Sequence, residues 1–98
     1  MSAARVLCRI IAALMEETCV ESGELENMVI EACSSKDCVE AVSLALRSLE
    51  MARIIRNGPG YVCLSSMRGA EEAQRELGCG DLLSDRSSRA SARASGAA

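Results

Sequence analysis

The sequence predicts a mainly α-helical fold, in which three helices are followed by a small β-hairpin and a short C-terminal helix. Two observations carry this prediction. Apolar residues recur at helical spacing in three successive segments. The only proline of the chain then lies among glycines, between two short β-prone runs.

The first helix is predicted between Ala3 and Glu17. Its apolar residues follow the i, i+3, i+4, i+7 spacing of one helical face, namely Leu7, Ile10, Ile11 and Leu14. Ser2 precedes the helix and is a favourable N-cap, because its hydroxyl can accept a hydrogen bond from a free N–H of the first turn.

A second helix is predicted to begin at Ser22, whose hydroxyl can cap it, while Glu24 suits the positive end of the helix dipole. Its apolar face comprises Leu25, Met28, Val29 and Ala32. The polar run from Ser34 to Asp37 ends the helix.

The third helix follows this polar run. Asp37 and Glu40 have the spacing of a capping box, in an Asp variant of the usual Ser/Thr form, and predict the start of the helix. The residues expected to face the core are Val39, Val42, Leu46 and Leu49. The outer face is expected to carry Glu40, Ser43 and Arg47.

Two β-prone runs, Arg53 to Ile55 and Tyr61 to Leu64, flank the residues Asn57 to Gly60. Asparagine, proline and glycine favour a tight reversal, so the two runs are predicted to pair as a hairpin. Pro59 has no N–H to donate to a sheet and therefore belongs in the turn or at an edge.

A short polar helix is predicted from Met67 to Leu77, with Gly78 and Gly80 ending it. The Arg/Ser/Ala-rich remainder has low complexity and little to bury, so residues 81–98 are expected to form a flexible tail. The chain is thus divided into a domain at residues 1–66, an appended helix at 67–80 and this tail.

The composition bounds the class of protein. With 98 residues there is room for one small domain, and its core must be aliphatic because the chain has one Tyr and no Phe or Trp. The net charge of −3 argues against a strongly basic nucleic-acid binder, although local patches can act. No run approaches the ~20 apolar residues of a membrane span. Arg9 interrupts the one run that resembles a signal peptide, so a cytoplasmic location without a membrane partner is expected.

The six cysteines are expected to be reduced, buried and hydrophobic, because disulfides are rare in the cytosol. Intracellular disulfides of the hyperthermophile kind stay open as an alternative. A disulfide between Cys33 and Cys38 would flank the turn between the second and third helices and could act as a redox switch. A metal site is not expected, because the Cys33-x4-Cys38 spacing is wider than in most zinc knuckles, and no cofactor is expected either.

The segment VEAVSLALRSLEMARIIRNGPGYVCLS, residues 39–65, resembles the recognition helix and wing of winged helix-turn-helix transcriptional regulators of bacteria and archaea. The matching residues are Leu46, Leu49, Glu50, Ile54, Ile55, Arg56, Gly58, Gly60, Tyr61 and Leu64. The resemblance implies a three-helix winged helix-turn-helix fold over residues 5–66. Many such proteins have a glycine between the recognition helix and the wing, where this chain has Arg53, so this turn is expected to be strained or of another type.

The resemblance also implies binding to double-stranded DNA and a role in transcription regulation, with the third helix in a major groove. The residues that it places against DNA are Lys36, Ser43 and Arg47 on the helix, and Arg53 and Arg56 on the wing. Asp37 and Glu40 oppose this interpretation, because they put two carboxylates at the end of the helix that approaches DNA.

An alternative from a different class is a winged-helix module that binds another protein within a larger assembly, which suits an acidic domain with a weak basic patch. An enzyme is not expected, because the chain has no histidine and no glycine-rich phosphate loop. The resemblance further implies a homodimer, paired through the first helix and the Met67–Leu77 segment.

Overall fold

The computed structural model describes residues 2–80, which form four helices and one three-stranded antiparallel sheet. The elements in chain order are α1 (Ala3–Glu17), β1 (Cys19–Glu21), α2 (Ser22–Ala32), α3 (Lys36–Met51), β2 (Ile55–Gly58), β3 (Tyr61–Leu64) and α4 (Met67–Leu77). The prediction of a mainly helical fold with a small hairpin is confirmed. The predicted tail at residues 81–98 lies outside the described residues.

Helix α1 is the centre of the fold. Its buried residues are Val6, Leu7, Cys8, Ile10, Ile11 and Leu14. Between Ala3 and Met15, Arg9 is the one residue whose side chain is exposed. One side of α1 packs against α2, α3 and the sheet, and another side packs against α4. The predicted cap is confirmed, since the Ser2 hydroxyl accepts a hydrogen bond from the N–H of Arg5 at 3.3 Å.

The sheet has the order β1-β3-β2 and turns one face to the core. Val20 of β1 pairs with Val62 of β3, and both are buried together with Ile55 of β2. Strand β1 was not predicted, because three residues between two helices are too few to show an alternating pattern. Strand β1 forms because it pairs with the free edge of β3. This pairing is long-range in sequence, so hydrophobic periodicity does not predict it.

Thr18 connects α1 to β1 in an unusual backbone conformation. Its φ is 69°, which is rare for a β-branched residue. Hydrogen bonds hold it on both sides, because its N–H donates to the carbonyl of Leu14 at 2.8 Å and its carbonyl accepts from the N–H of Leu64 at 2.7 Å. The end of α1 is therefore fastened to β3.

The hairpin between β2 and β3 is confirmed, with Gly58 paired to Tyr61 so that Pro59 and Gly60 form a two-residue turn. Proline followed by a glycine at φ 84° is the arrangement of a type II turn. The carbonyl of Gly60 accepts a hydrogen bond from the N–H of Ser22 at 2.9 Å, which fastens the turn to the start of α2.

The predicted start of α2 at Ser22 is confirmed, and two predicted helix caps are corrected. Ser22 is the first residue of α2 rather than its cap, and the preceding Glu21 makes no side-chain cap bond. The predicted capping box of Asp37 and Glu40 is wrong. Ser35 is the N-cap of α3, since its hydroxyl accepts from the N–H of Cys38 at 3.2 Å, and Asp37 therefore lies inside the first turn.

Helix α3 ends in a Schellman motif with Arg53 in the position where glycine is usual. The N–H of Arg53 donates to the carbonyl of Glu50, and the N–H of Ile54 donates to the carbonyl of Leu49, both at 2.9 Å. Arg53 has φ 62°, so the strain expected at this position is present. Because Arg53 closes the helix, β2 begins at Ile55 and not at Arg53 as predicted.

Replacing Arg53 by glycine is expected to stabilise the chain. Arg53→Gly removes the left-handed strain and should raise the free energy of unfolding by about 1 kcal/mol. Arg53→Ala is the control, because it removes the charge but retains the strain, and it should change stability by less than about 0.5 kcal/mol. Denaturant unfolding with intact disulfides measures both. Equal effects of the two substitutions would contradict the assignment.

Helix α4 packs closely on the rest of the domain. Ala70 and Ala73 are buried in a cluster with Ile11 of α1. Gly69 allows the approach, because a Cβ atom there would lie 2.7 Å from Cγ1 of Ile54. Helices α1 and α4, which the resemblance offered for dimerisation, thus pack against each other within one chain.

The prediction of reduced cysteines is wrong, because all six are paired. The disulfides are Cys8–Cys79, Cys19–Cys63 and Cys33–Cys38, with Cα–Cα distances of 5.4, 4.0 and 5.5 Å. They join α1 to the residues after α4, β1 to β3, and the end of α2 to the start of α3. Only Cys8 and Cys79 are buried. The fold brings distant cysteines together in pairs, which their spacing in the sequence does not reveal.

The disulfides should differ in their contribution to stability. Cys8–Cys79 closes a separation of 71 residues and Cys33–Cys38 one of 5. In the chain-entropy model these loops correspond to about 4 and about 2 kcal/mol. Cys8→Ala/Cys79→Ala should therefore destabilise the chain more than Cys33→Ala/Cys38→Ala in denaturant unfolding. Thiol titration of the denatured wild-type chain should find no free thiol before reduction and six after it. Six thiols before reduction would contradict the pairing.

Candidate functional site

The residues predicted to contact DNA lie on α3 and on the hairpin that follows it, and the structure brings together only part of the set. Ser43 and Arg47 lie one turn apart on α3 and are exposed. Lys36 is the first residue of α3, so it lies about 16 Å along the helix axis from Arg47. Arg53 is exposed at the other end of the helix.

Ser43 and Arg47 line an open groove between α2, α3 and the hairpin. The groove has a volume of about 380 Å³, and its acidic residues are Glu26 of α2 and Glu50 of α3. Arg47 therefore shares the groove with two carboxylates. The local charge is net negative, which opposes the entry of a phosphate backbone.

Asn57 connects the hairpin to α3 across this groove. Its Nδ2 atom donates a hydrogen bond to Oε2 of Glu50 at 2.6 Å, a charge-assisted bond. This contact fixes the position of β2 relative to the helix. The hydrogen bond joins residues seven positions apart in different elements, and no local sequence pattern predicts it.

Arg56 lies on the opposite face of the hairpin. Residues alternate between the two faces of a strand, and Ile55 is buried while Arg56 is exposed. Arg56 pairs with Cys63, and together they line an outer concavity that also contains Tyr61 and Pro59. Arg47 and Arg56 are thus separated by the thickness of the sheet and do not form one basic patch.

The outermost line of α3 carries large apolar side chains. Leu44 is 64% exposed and Met51 is 79% exposed. Val42 is fully buried, and at 3.6 residues per turn Leu44 is about 200° away from it, so Leu44 faces outward. Asp37 and Glu40 accompany these two residues on the outer side of the helix. The sequence interpretation missed Leu44 and Met51, although the same periodicity places them opposite the core.

The two flanks of α3 differ in charge. The flank facing the hairpin carries the ionisable residues Lys36, Glu40, Arg47 and Glu50. The flank facing α4 carries no charge and consists of Ala41, Ala45 and Ser48. The second flank continues into a shallow groove between α1, α3 and α4, lined mainly by aliphatic residues, namely Leu7, Ala45, Leu49, Ala73 and Leu77.

Within residues 2–80, no group of three His, Cys, Asp or Glu side chains is placed to hold a metal ion. The same part of the chain includes no helix whose length and apolar character would allow it to cross a bilayer. Comparisons with protein-family models, with curated proteins and with solved structures gave no match to this chain.

Proposed function

We propose that this chain is a winged-helix domain that binds another protein through the outer surface of α3. The winged-helix assignment is supported by the element order α1-β1-α2-α3-β2-β3 and by the sheet order β1-β3-β2. In that arrangement α3 takes the position of the recognition helix and the Pro59–Gly60 turn is the tip of the wing.

One observation carries the choice of a protein partner, namely the exposure of Leu44 and Met51 on the outer line of α3. Large apolar side chains aligned on one exposed face of a helix, here two turns apart, are typical of a surface that binds an apolar partner. Burying two such side chains contributes about 2 to 4 kcal/mol before the costs of association. A major groove offers them few apolar contacts, and Asp37 and Glu40 would repel its phosphates.

Binding to double-stranded DNA is the second candidate function, and a different observation favours it. Among residues 2–80, the side chains of Lys36, Arg47, Arg53 and Arg56 take part in no hydrogen bond or ion pair. Exposed cations without partners can neutralise phosphates. Because Arg56 lies on the outer face of the hairpin, such binding would use the wing more than the groove beside Arg47.

The three disulfides bear on where the protein works. Fully paired cysteines suit an oxidising compartment, or the interior of a hyperthermophile, in which intracellular disulfides persist. The proposal therefore retains a cytoplasmic location only for the second case, the interior of a hyperthermophile. The redox switch at Cys33 and Cys38 is not part of the proposal. This disulfide connects two helices, and the other two disulfides likewise connect separate parts of the fold, so nothing distinguishes it from a structural disulfide.

Photo-crosslinking tests the proposed function. A photoreactive amino acid replaces Leu44 in one variant and Ile30 in another, since both residues are 64% exposed on helices and differ only in location. After irradiation in an extract of the source cells, position 44 should give a discrete protein adduct and position 30 should not. The absence of a protein adduct from position 44, or equal adducts from both positions, would contradict the proposal.

Fluorescence anisotropy with random duplex DNA across a salt series tests the second candidate. If the protein binds DNA, Arg53→Ala/Arg56→Ala should weaken binding to all DNA sequences alike. The slope of log K against log salt concentration should fall in magnitude by about one for each lost phosphate contact. Arg9→Ala, an exposed arginine of α1, is the control and should leave the slope unchanged. No binding at low salt would eliminate DNA as the partner.

A further inference from the structure

We infer that the partner of α3 is the α3 helix of a second copy of this chain, bound antiparallel around a two-fold axis at Leu44. This inference rests on the proposed function, because it names the partner of the same surface. Two-fold symmetry requires a surface that is complementary to itself. The charged residues of α3 meet this requirement.

Within about one turn of Leu44, α3 carries an acidic residue before it, Glu40, and a basic residue after it, Arg47. Glu40 precedes Leu44 by four residues and Arg47 follows it by three, so they lie about 6 Å and about 4.5 Å from it in opposite directions along the axis. At 3.6 residues per turn both lie on the same side of the line through Leu44. All three side chains are exposed.

In an antiparallel pair, the two-fold axis is perpendicular to the plane that contains the two helices. Rotation about it reverses the direction of the helix and leaves each flank of α3 on the same side of that plane. Glu40 of one copy therefore lies opposite Arg47 of the second copy, and Arg47 lies opposite the second Glu40. Leu44 meets Leu44 between these two ion pairs. A parallel two-fold arrangement exchanges the two flanks, so Glu40 and Arg47 would each lie opposite the uncharged flank of the second helix and neither ion pair would form.

The other flank allows the helices to approach closely. The same rotation places Ala41 opposite Ser48, and small residues permit an interaxial distance near the usual 8 to 10 Å. The Ser48 hydroxyl already donates to the carbonyl of Leu44 at 3.2 Å, so burying it leaves no donor without a partner. Met51, 79% exposed, would lie opposite Asp37 of the second copy, because each is seven residues from Leu44, so the apolar contact between the two helices is centred on Leu44.

The contact would be small. Helix α3 has 16 residues and is therefore about 24 Å long, and one pair of such helices buries less surface than a standard stable interface. A reversible dimer that forms at micromolar concentrations is expected.

Equilibrium sedimentation of the full chain with intact disulfides is the first test. Leu44→Glu should weaken dimerisation by about tenfold or more, because it places two carboxylates face to face at the axis. Ile30→Glu is the matched control, since Ile30 has the same 64% exposure on α2, and it should leave the dissociation constant unchanged. A wild-type chain that stays monomeric at high micromolar concentration, or equal effects of both variants, overturns the inference.

A charge exchange tests the antiparallel geometry. Glu40→Arg and Arg47→Glu each replace two attractive pairs by two repulsive pairs and should each weaken the dimer by roughly tenfold. The double variant Glu40→Arg/Arg47→Glu restores both ion pairs with the two charges exchanged. Its dissociation constant for the dimer should lie within about threefold of the wild-type value. Failure of the double variant to recover overturns the antiparallel pairing.

The failure of this inference can be distinguished from a failure of the proposed function. A crosslink from position 44 of the purified chain should yield an adduct of twice the chain mass. An adduct of another mass, formed only in the cell extract, overturns the pairing of two copies while the protein-binding function stands. No protein adduct under either condition overturns both.

Discussion

The burial of α1 is the constraint on which the rest of the structure depends. This helix has apolar residues on most of its circumference, and α2, α3, α4 and the sheet are arranged around it. Because α1 occupies the centre, α3 buries only the side that contains Val42. Its opposite side then faces solvent, and the exposure of Leu44 and Met51 follows from that placement. The candidate functional surface is thus a direct consequence of how the core is filled.

A core without Phe or Trp must be held by many small contributions. The buried clusters are built from Val, Leu, Ile and Ala, and three disulfides add covalent connections, of which Cys8–Cys79 is itself buried. Cys19–Cys63 joins β1, which follows α1, to β3 of the hairpin. Cys8–Cys79 holds the residues after α4 against α1, and Cys33–Cys38 fixes the turn before α3. Of the three disulfides, Cys33–Cys38 acts directly on α3, because it holds the first turn of that helix next to the end of α2.

Local signals predicted the helices well and long-range contacts poorly. The bounds of α1 and α4 agree with the prediction because both have clear apolar spacing or end signals, such as Ser2 and Gly78. Strand β1 was missed because its formation depends on β3, more than forty residues later, as the Cys19–Cys63 separation of 44 shows. The disulfide pairs were missed for the same reason. The start of α3 was misplaced because two residue types compete for the cap, and Ser35 occupies it in place of Asp37.

The site was predictable to a similar extent. Helical periodicity correctly put Ser43 and Arg47 among the exposed residues of α3, and the same periodicity would have shown Leu44 opposite Val42. The separation of Arg47 from Arg56 depends on which face of β2 turns inward, and the bond between Asn57 and Glu50 depends on tertiary packing. Neither can be obtained from residue spacing alone. The sequence analysis therefore pointed to α3 and missed Leu44 and Met51, the exposed apolar side chains on which the proposal of a protein partner rests.

The claim that α3 presents a contact surface to a second copy of the chain is tested most directly by the oxidation rate of Met51 relative to Met67, measured by hydroxyl-radical footprinting at increasing protein concentration. Both methionines are exposed, by 79% and 48%, and only Met51 lies on the outer line of α3. Met51 should oxidise faster in the dilute chain, and the ratio of the two rates should fall as the chain associates. A ratio that stays constant over the whole concentration range would contradict the account.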